Sequence, residues 1–157
     1  MITSFSTSMQ FIIVLAYFII AAQGMCYHLA LGNALRQIPL DHFLTLRQTI
    51  DRYLRKPLKA LYLGTPFLIL LWIVVNFHQH SCLTASCYSI ALLCLFADLW
   101  LIVKRSEPIN QLINQLLHFQ QVEGGHNLQE VWIKTMLQRG LFNIIGFIAI
   151  LISLLLD

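Results

Sequence analysis

Residues 83–103 read LTASCYSIALLCLFADLWLIV, and this stretch decides what kind of protein the chain encodes. It is apolar except for scattered small hydroxyls, a tyrosine and one carboxylate, Asp98. Its length matches the roughly 20 helical residues needed to cross a hydrocarbon core of about 30 Å. Three further stretches, 9–31, 58–77 and 140–156, have the same character, with Lys and Arg confined to their margins. Of the 157 residues, 58% are hydrophobic and 11% charged, against roughly a quarter charged in soluble domains. A soluble domain of this length cannot bury that much apolar surface, so the excess faces lipid. The expected fold is an all-α membrane protein. One domain, 1–157, forms a four-transmembrane-helix bundle with cytoplasmic interfacial helices.

The same composition argues against several classes. Cys26 and Cys94 fall inside apolar runs, which does not resemble a secreted disulfide scaffold. The net charge of +3 is carried without the basic block or aromatic–basic interleaving that binds nucleic acid. Ala21 and Ala22 ahead of Gln23 and Gly24 imitate a signal-peptide cleavage site. No Lys or Arg precedes the first span, however, and its apolar run continues past that point, so it reads as a retained helix.

Charge asymmetry gives an orientation. Arg36, Arg47, Arg52, Arg55, Lys56 and Lys59 lie at or near the connection between the first two spans. Lys104, Arg105, Lys134 and Arg139 lie at or near the connection between the last two. The termini and the turn at residues 78–82 carry no Lys or Arg. The positive-inside rule places both basic connections in the cytoplasm and both termini outside, the arrangement expected in a bacterial inner membrane.

Both connections carry helical patterns. In 41–54, Phe43, Leu46, Ile50, Tyr53 and Leu54 recur on one face, with Arg47, Asp51 and Arg52 on the remainder and Asp41 as N-cap. This helix is expected to lie in the interface, its cations near lipid phosphates. A second helix, 106–121, is expected to begin at Ser106-Glu107-Pro108 with Ser106 as cap. Glu123-Gly124-Gly125 should break it, and Asn127 with Glu130 should cap the helix that enters the last span.

Polar residues near the basic end form the main candidate site, because polar groups are costly in a bilayer unless paired or hydrated. Gly24, Tyr27 and His28 follow i, i+3, i+4 spacing and should share a face. Asp98 and Arg139 lie at similar depth, with Asn143 one turn beyond Arg139, Tyr62 at the start of the second span, and Glu107, Asn110 and Asn114 nearby. Each has a plainer reading. Asp98 can serve as an anchor paired with Arg139 or drawn toward Lys104, and His28 can be a buried structural imidazole. Tyr27, Tyr62 and Trp100 can be interfacial aromatics, and Asn110 and Asn114 can simply face water.

A weaker candidate lies at the other end, where His78, His80 and Cys82 offer donors for copper or zinc. Their spacing is not a specific ligand signature; a polar turn is the simpler reading, and a Cys82–Cys87 disulfide is the alternative outside the cytoplasm. His28 could also ligate a metal. The cofactor therefore stays open between none and a copper or iron ion. No P-loop, dinucleotide fingerprint, nucleophile elbow or H-E-x-x-H motif occurs.

Two short motifs add a family resemblance. Ser106-Glu107-Pro108-Ile109-Asn110, followed by Asn114, is similar to an Asn-x-Pro-x-Asn pattern after a third helix. The segment Trp132 to Arg139 resembles a Trp-x-x-x-Asn-x-x-Arg pattern leading into a fourth. With Gly24-Met25-Cys26-Tyr27 and Asn33-Ala34-Leu35, the chain resembles the anthrone oxygenase-like membrane proteins, or domain of unknown function 1772. Ser106 and Met136 depart from that pattern, each standing where it has Asn. The resemblance implies an oxygenase or oxidase that converts a phenolic, apolar aromatic compound to a quinone. In that reading His28 or Asp98 removes a proton and Arg139 stabilises the resulting anion. Tyr27, Glu107, Asn110, Asn114, Trp132 and Asn143 would contact the substrate.

Two non-enzymatic readings stand beside it. One is a membrane subunit, or a lipid- or small-molecule-binding module; the other is a copper- or iron-binding membrane protein. Transport is weaker, since no inverted repeat is visible. Expected partners are the lipid bilayer, an apolar small molecule and further copies of the chain, with no nucleic acid.

Overall fold

The computed structural model describes residues 2–76, 81–119 and 125–156. Its elements are helix α1 (Ile2–Cys26), a π-helical turn (Tyr27–Leu31), α2 (Gly32–Gln37), α3 (Leu40–Asn76), α4 (Cys82–Leu101), a second π-helical turn (Ile102–Ser106), α5 (Glu107–Phe119) and α6 (Gly125–Leu156). Among the described residues four helices are long and apolar enough to cross a membrane, and the chain is an integral, multi-pass membrane protein. Only 28–33% of the residues in their most apolar windows are buried. Phe11, Phe67, Val74, Leu93 and Leu155 point outward, as they must where the solvent is lipid.

The spanning helices run up and down in a ring, α1 against α3, α3 against α4, α4 against α6, and α6 back against α1. Their apolar residues build two cores at different heights. The larger surrounds Ile13, Tyr17, Ile69, Trp72, Tyr88 and Leu95, with Trp72 and Tyr88 stacked at 3.9 Å. The smaller gathers Leu35, Phe43, Leu44, Ile113, Trp132 and Ile133 at the basic end. A polar layer borders the larger core, with Tyr62 common to both.

The connections depart from the expected interfacial helices. Residues 41–54 are not a separate helix; they are the first part of α3, which continues through Pro57 and Pro66. A proline removes one helical hydrogen bond and bends the rod, but neighbouring packing carries the helix through it. At 1.5 Å per residue the 37 residues of α3 extend roughly 55 Å, well beyond a 30 Å core. Asp41 lies inside the first turn, where its charge suits the helix dipole, and the helix begins one residue earlier.

Nor does Ser106 start a new helix. It ends a π turn that joins α4 to α5, and the wide turn accommodates Pro108, which has no N–H to return to the preceding coil. Asn127 likewise is not a cap, because α6 begins at Gly125. Gln129 donates to the carbonyls of Leu35 (2.6 Å) and Ile38 (3.3 Å), satisfying acceptors that the end of α2 leaves open. Arg36 forks onto Glu130 at 3.0 and 3.3 Å, fastening α2 to α6. Cys82 and Cys87 are free thiols on one helix, five residues apart and on different faces, so the disulfide alternative is not realised.

Glycine sets the closest helix contact. A Cβ on Gly24 would stand 2.5 Å from the Cα of Gly140, so α1 and α6 touch backbone to backbone. Gly146 leaves the space that the Tyr17 ring fills on its way to donate to the Ala91 carbonyl at 2.9 Å. Gly24→Ala and Gly140→Ala should each lower stability by about 1–3 kcal/mol through overpacking. Gly64→Ala, where an added Cβ meets nothing within 4 Å, should not. Thermal unfolding of the three purified variants in detergent checks the contrast.

Candidate functional site

The polar layer is built from three helices. Asp98 of α4 is fully buried, and both its oxygens are engaged. Arg139 Nε donates to Oδ1 at 2.6 Å and Asn143 Nδ2 to Oδ2 at 2.8 Å. The Tyr62 hydroxyl of α3 accepts from Arg139 Nη2 and Asn143 Nδ2, each at 3.2 Å. Arg139 and Asn143 reach the same carboxylate because i, i+4 spacing stacks them on one face of α6. Of the two partners proposed for Asp98, Lys104 is exposed and Arg139 makes the bond.

Beside this layer lies a cavity of about 540 Å³, within the usual range for small-molecule sites. It opens between α3 and the remaining helices, because α3 packs on α1 and touches α6 only sparingly. Leu35, Phe43, Leu99 and Ile102, buried or half-buried, line its interior. Leu54, Leu63 and Val103, all exposed, line its mouth. The mouth is thus apolar at these three residues and charged along the edge formed by Arg55, Lys59 and Glu107.

Tyr27, Glu107, Asn110, Trp132 and Arg139 all line this cavity, together with Gln23 and Tyr62. Trp132 organises that wall. Tyr27 and Phe43 meet its ring edge-on at 5.8 and 5.5 Å, and its Nε1 donates to Asn110 Oδ1 at 3.2 Å. Glu107 accepts from Arg55 across the mouth.

Other candidates stand elsewhere. Asn143 is buried behind the cavity, Asp98 presents it no free oxygen, and Asn114 is exposed away from it. His28 is exposed, with Nε2 2.9 Å from the Leu137 carbonyl across the α1–α6 seam. It does not share the buried face of Gly24 and Tyr27, since the π turn that starts at Tyr27 widens the helix and displaces the 3.6-residue register. Trp100 points outward, as an interfacial aromatic would. Cys82 is exposed, while His78 and His80 lie outside the described residues. Among the described residues no three His, Cys, Asp or Glu side chains come together as a metal site.

Arg47 is the residue that pattern reading placed wrongly. It was expected on the polar side of its helix, yet it is 9% exposed and lines the cavity, one turn after Phe43. Its guanidinium lies 5.4 Å from the centre of the Trp132 ring. The i, i+4 relation of Phe43 and Arg47 is the signal that could have located it. Ser106, expected as a cap, also lines the cavity, and its buried Oγ has no protein partner.

The closed Asp98–Arg139 pair makes a stability prediction. Asp98→Asn and Arg139→Gln should each cost about 3–5 kcal/mol, because each leaves a buried group without its counterpart. The double variant should cost less than the sum, and a thermodynamic cycle from thermal unfolding in detergent measures the difference.

Comparison with family models, curated proteins and solved structures gave no match.

Proposed function

We propose that this chain is an inner-membrane binding protein that takes up an apolar small molecule from the cytoplasmic leaflet. Orientation follows from the basic residues. Arg47, Arg55, Lys59, Lys104 and Arg105 all belong to the end that the positive-inside rule puts in the cytoplasm. The observation that carries the reading is the cavity itself: about 540 Å³, apolar inside, with an exposed apolar mouth at Leu63 and Val103. A ligand dissolved in lipid reaches such a mouth without crossing water. Binding needs no proton acceptor, which agrees with an Asp98 committed to Arg139 and Asn143.

Purified protein in detergent should bind the neutral aromatic probe 2-naphthol saturably, read by its fluorescence. Leu99→Trp and Ile102→Trp, which fill the interior, should each weaken binding about tenfold or more while eluting as the wild type does. Non-saturable partitioning, identical in wild type and both variants, would sink the proposal.

One observation favours a second, enzymatic reading. Tyr27, Asn110, Trp132 and Arg139, which belong to the motifs that resemble the anthrone oxygenase-like proteins, line the same cavity. An oxidase of that kind takes a ring CH₂ to a carbonyl, with one oxygen atom from dioxygen retained and the other leaving as water. Arg139 and Tyr62 would hold the substrate oxygen. Under this reading an oxygen electrode records protein-dependent uptake with anthrone, reduced at least a hundredfold in Arg139→Gln. Uptake no faster than in buffer removes the reading and leaves binding standing.

A further inference from the structure

The geometry points to a negatively charged ligand head, a carboxylate or phenolate on an apolar body, held by Arg47 at the basic end of the cavity. This inference rests on the binding reading above and names the class of ligand. Four cations line the cavity, Arg47, Arg55, Lys59 and Arg139, against two anions, Asp51 and Glu107. They are not equivalent. Arg139 has its Nε and Nη2 engaged and its charge met by Asp98 at 2.6 Å. Arg55 is paired with Glu107. Lys59 is exposed, so its charge is solvated.

Arg47 differs in both burial and pairing. Its side chain is 10% exposed, whereas its only ion-pair partner among the described residues, Asp51, is 29% exposed and bonds it through one nitrogen at 3.3 Å. Its Nε is buried without a partner. A guanidinium removed from water normally fills its donor set with a planar, bidentate acceptor. The Trp132 face holds the guanidinium by a cation–π contact and leaves its edge for such an acceptor.

Two neighbours extend the donor set. Asn110 has its Oδ1 occupied by Trp132 Nε1, which leaves its amide N–H groups as the unspent end. Ser106, one turn earlier on the same face, carries a buried hydroxyl without a partner. An acid whose body occupies the apolar interior would complete a guanidinium, an amide and a hydroxyl that the protein leaves incomplete.

The test compares three naphthalene probes of similar size: 2-naphthoate, neutral 2-naphthol and cationic 2-naphthylmethylammonium. Wild-type protein should bind naphthoate about tenfold tighter than naphthol, and the ammonium weakest of the three. Arg47→Gln should bring the naphthoate-to-naphthol ratio to about one, and Arg47→Lys should restore part of it. Lys104→Gln, outside the cavity, should keep the wild-type ratio. Equal wild-type affinities for naphthoate and naphthol overturn the head-group assignment while leaving the cavity reading intact. A tenfold preference that survives in Arg47→Gln overturns the role of Arg47. If no probe binds saturably, the cavity reading fails and this one with it. The wild-type ratio needs no substitution, so a poorly folding Arg47→Gln would not remove the test.

Discussion

An aspartate in a hydrocarbon-spanning helix must find a partner, and the arrangement of this bundle follows from how Asp98 finds one. The carboxylate is fully buried and meets Arg139 and Asn143 from α6, whose other donors meet Tyr62 of α3. Three of the four spans are therefore tied at one depth. In a membrane, apolar side chains gain little by choosing one another over lipid, so specific positioning falls to hydrogen bonds and close packing. The aromatic and aliphatic cores fill space. The layer fixes height and rotation.

The cavity is the counterpart of that tie. Where α4 and α6 are joined by the ion pair, the helices close; α3 contributes Tyr62 to the layer, leaves a gap beyond it, and meets α6 again where Phe43 packs on Trp132. That gap is lined by Phe43, Arg47 and Leu54 from α3 and by Tyr27, Trp132 and Met136 opposite. Both π turns lie at this level. Tyr27 opens the first and Ser106 closes the second, and both line the cavity.

Much of the fold was legible because bilayer thickness imposes a simple length rule on apolar runs. The four spans could be read from residues such as those of 83–103 and 140–156, and the described residues include four helices long and apolar enough to cross. Helix ends were harder to read. A break was expected between 41–54 and the span 58–77 and a helix start at Ser106-Glu107-Pro108, yet α3 runs through the first and a π turn joins α4 to α5 at the second, because packing outweighs local propensity. The shared level of Asp98, Arg139, Asn143 and Tyr62 was visible from depth alone. The cavity-facing role of Arg47 was not, since a cation is ordinarily assigned to the wet face of an amphipathic helix. The outward turn of His28 was hidden as well, because a π turn has no residue signature in the sequence.

The Gly24–Gly140 contact also determines which wall of the cavity can yield. Where two helix backbones touch, no side chain lies between them to compress or change rotamer. The α1–α6 seam therefore behaves as a fixed edge, and the ion pair gives α4 and α6 a second one. A bulkier occupant has to displace α3, whose inner face meets the others mainly through side chains. The basic-end start of that helix is itself held where Phe43 packs on Trp132, so the stretch between Phe43 and Tyr62 is the part that can bow outward, altering the outline of the protein that the surrounding lipid must fit.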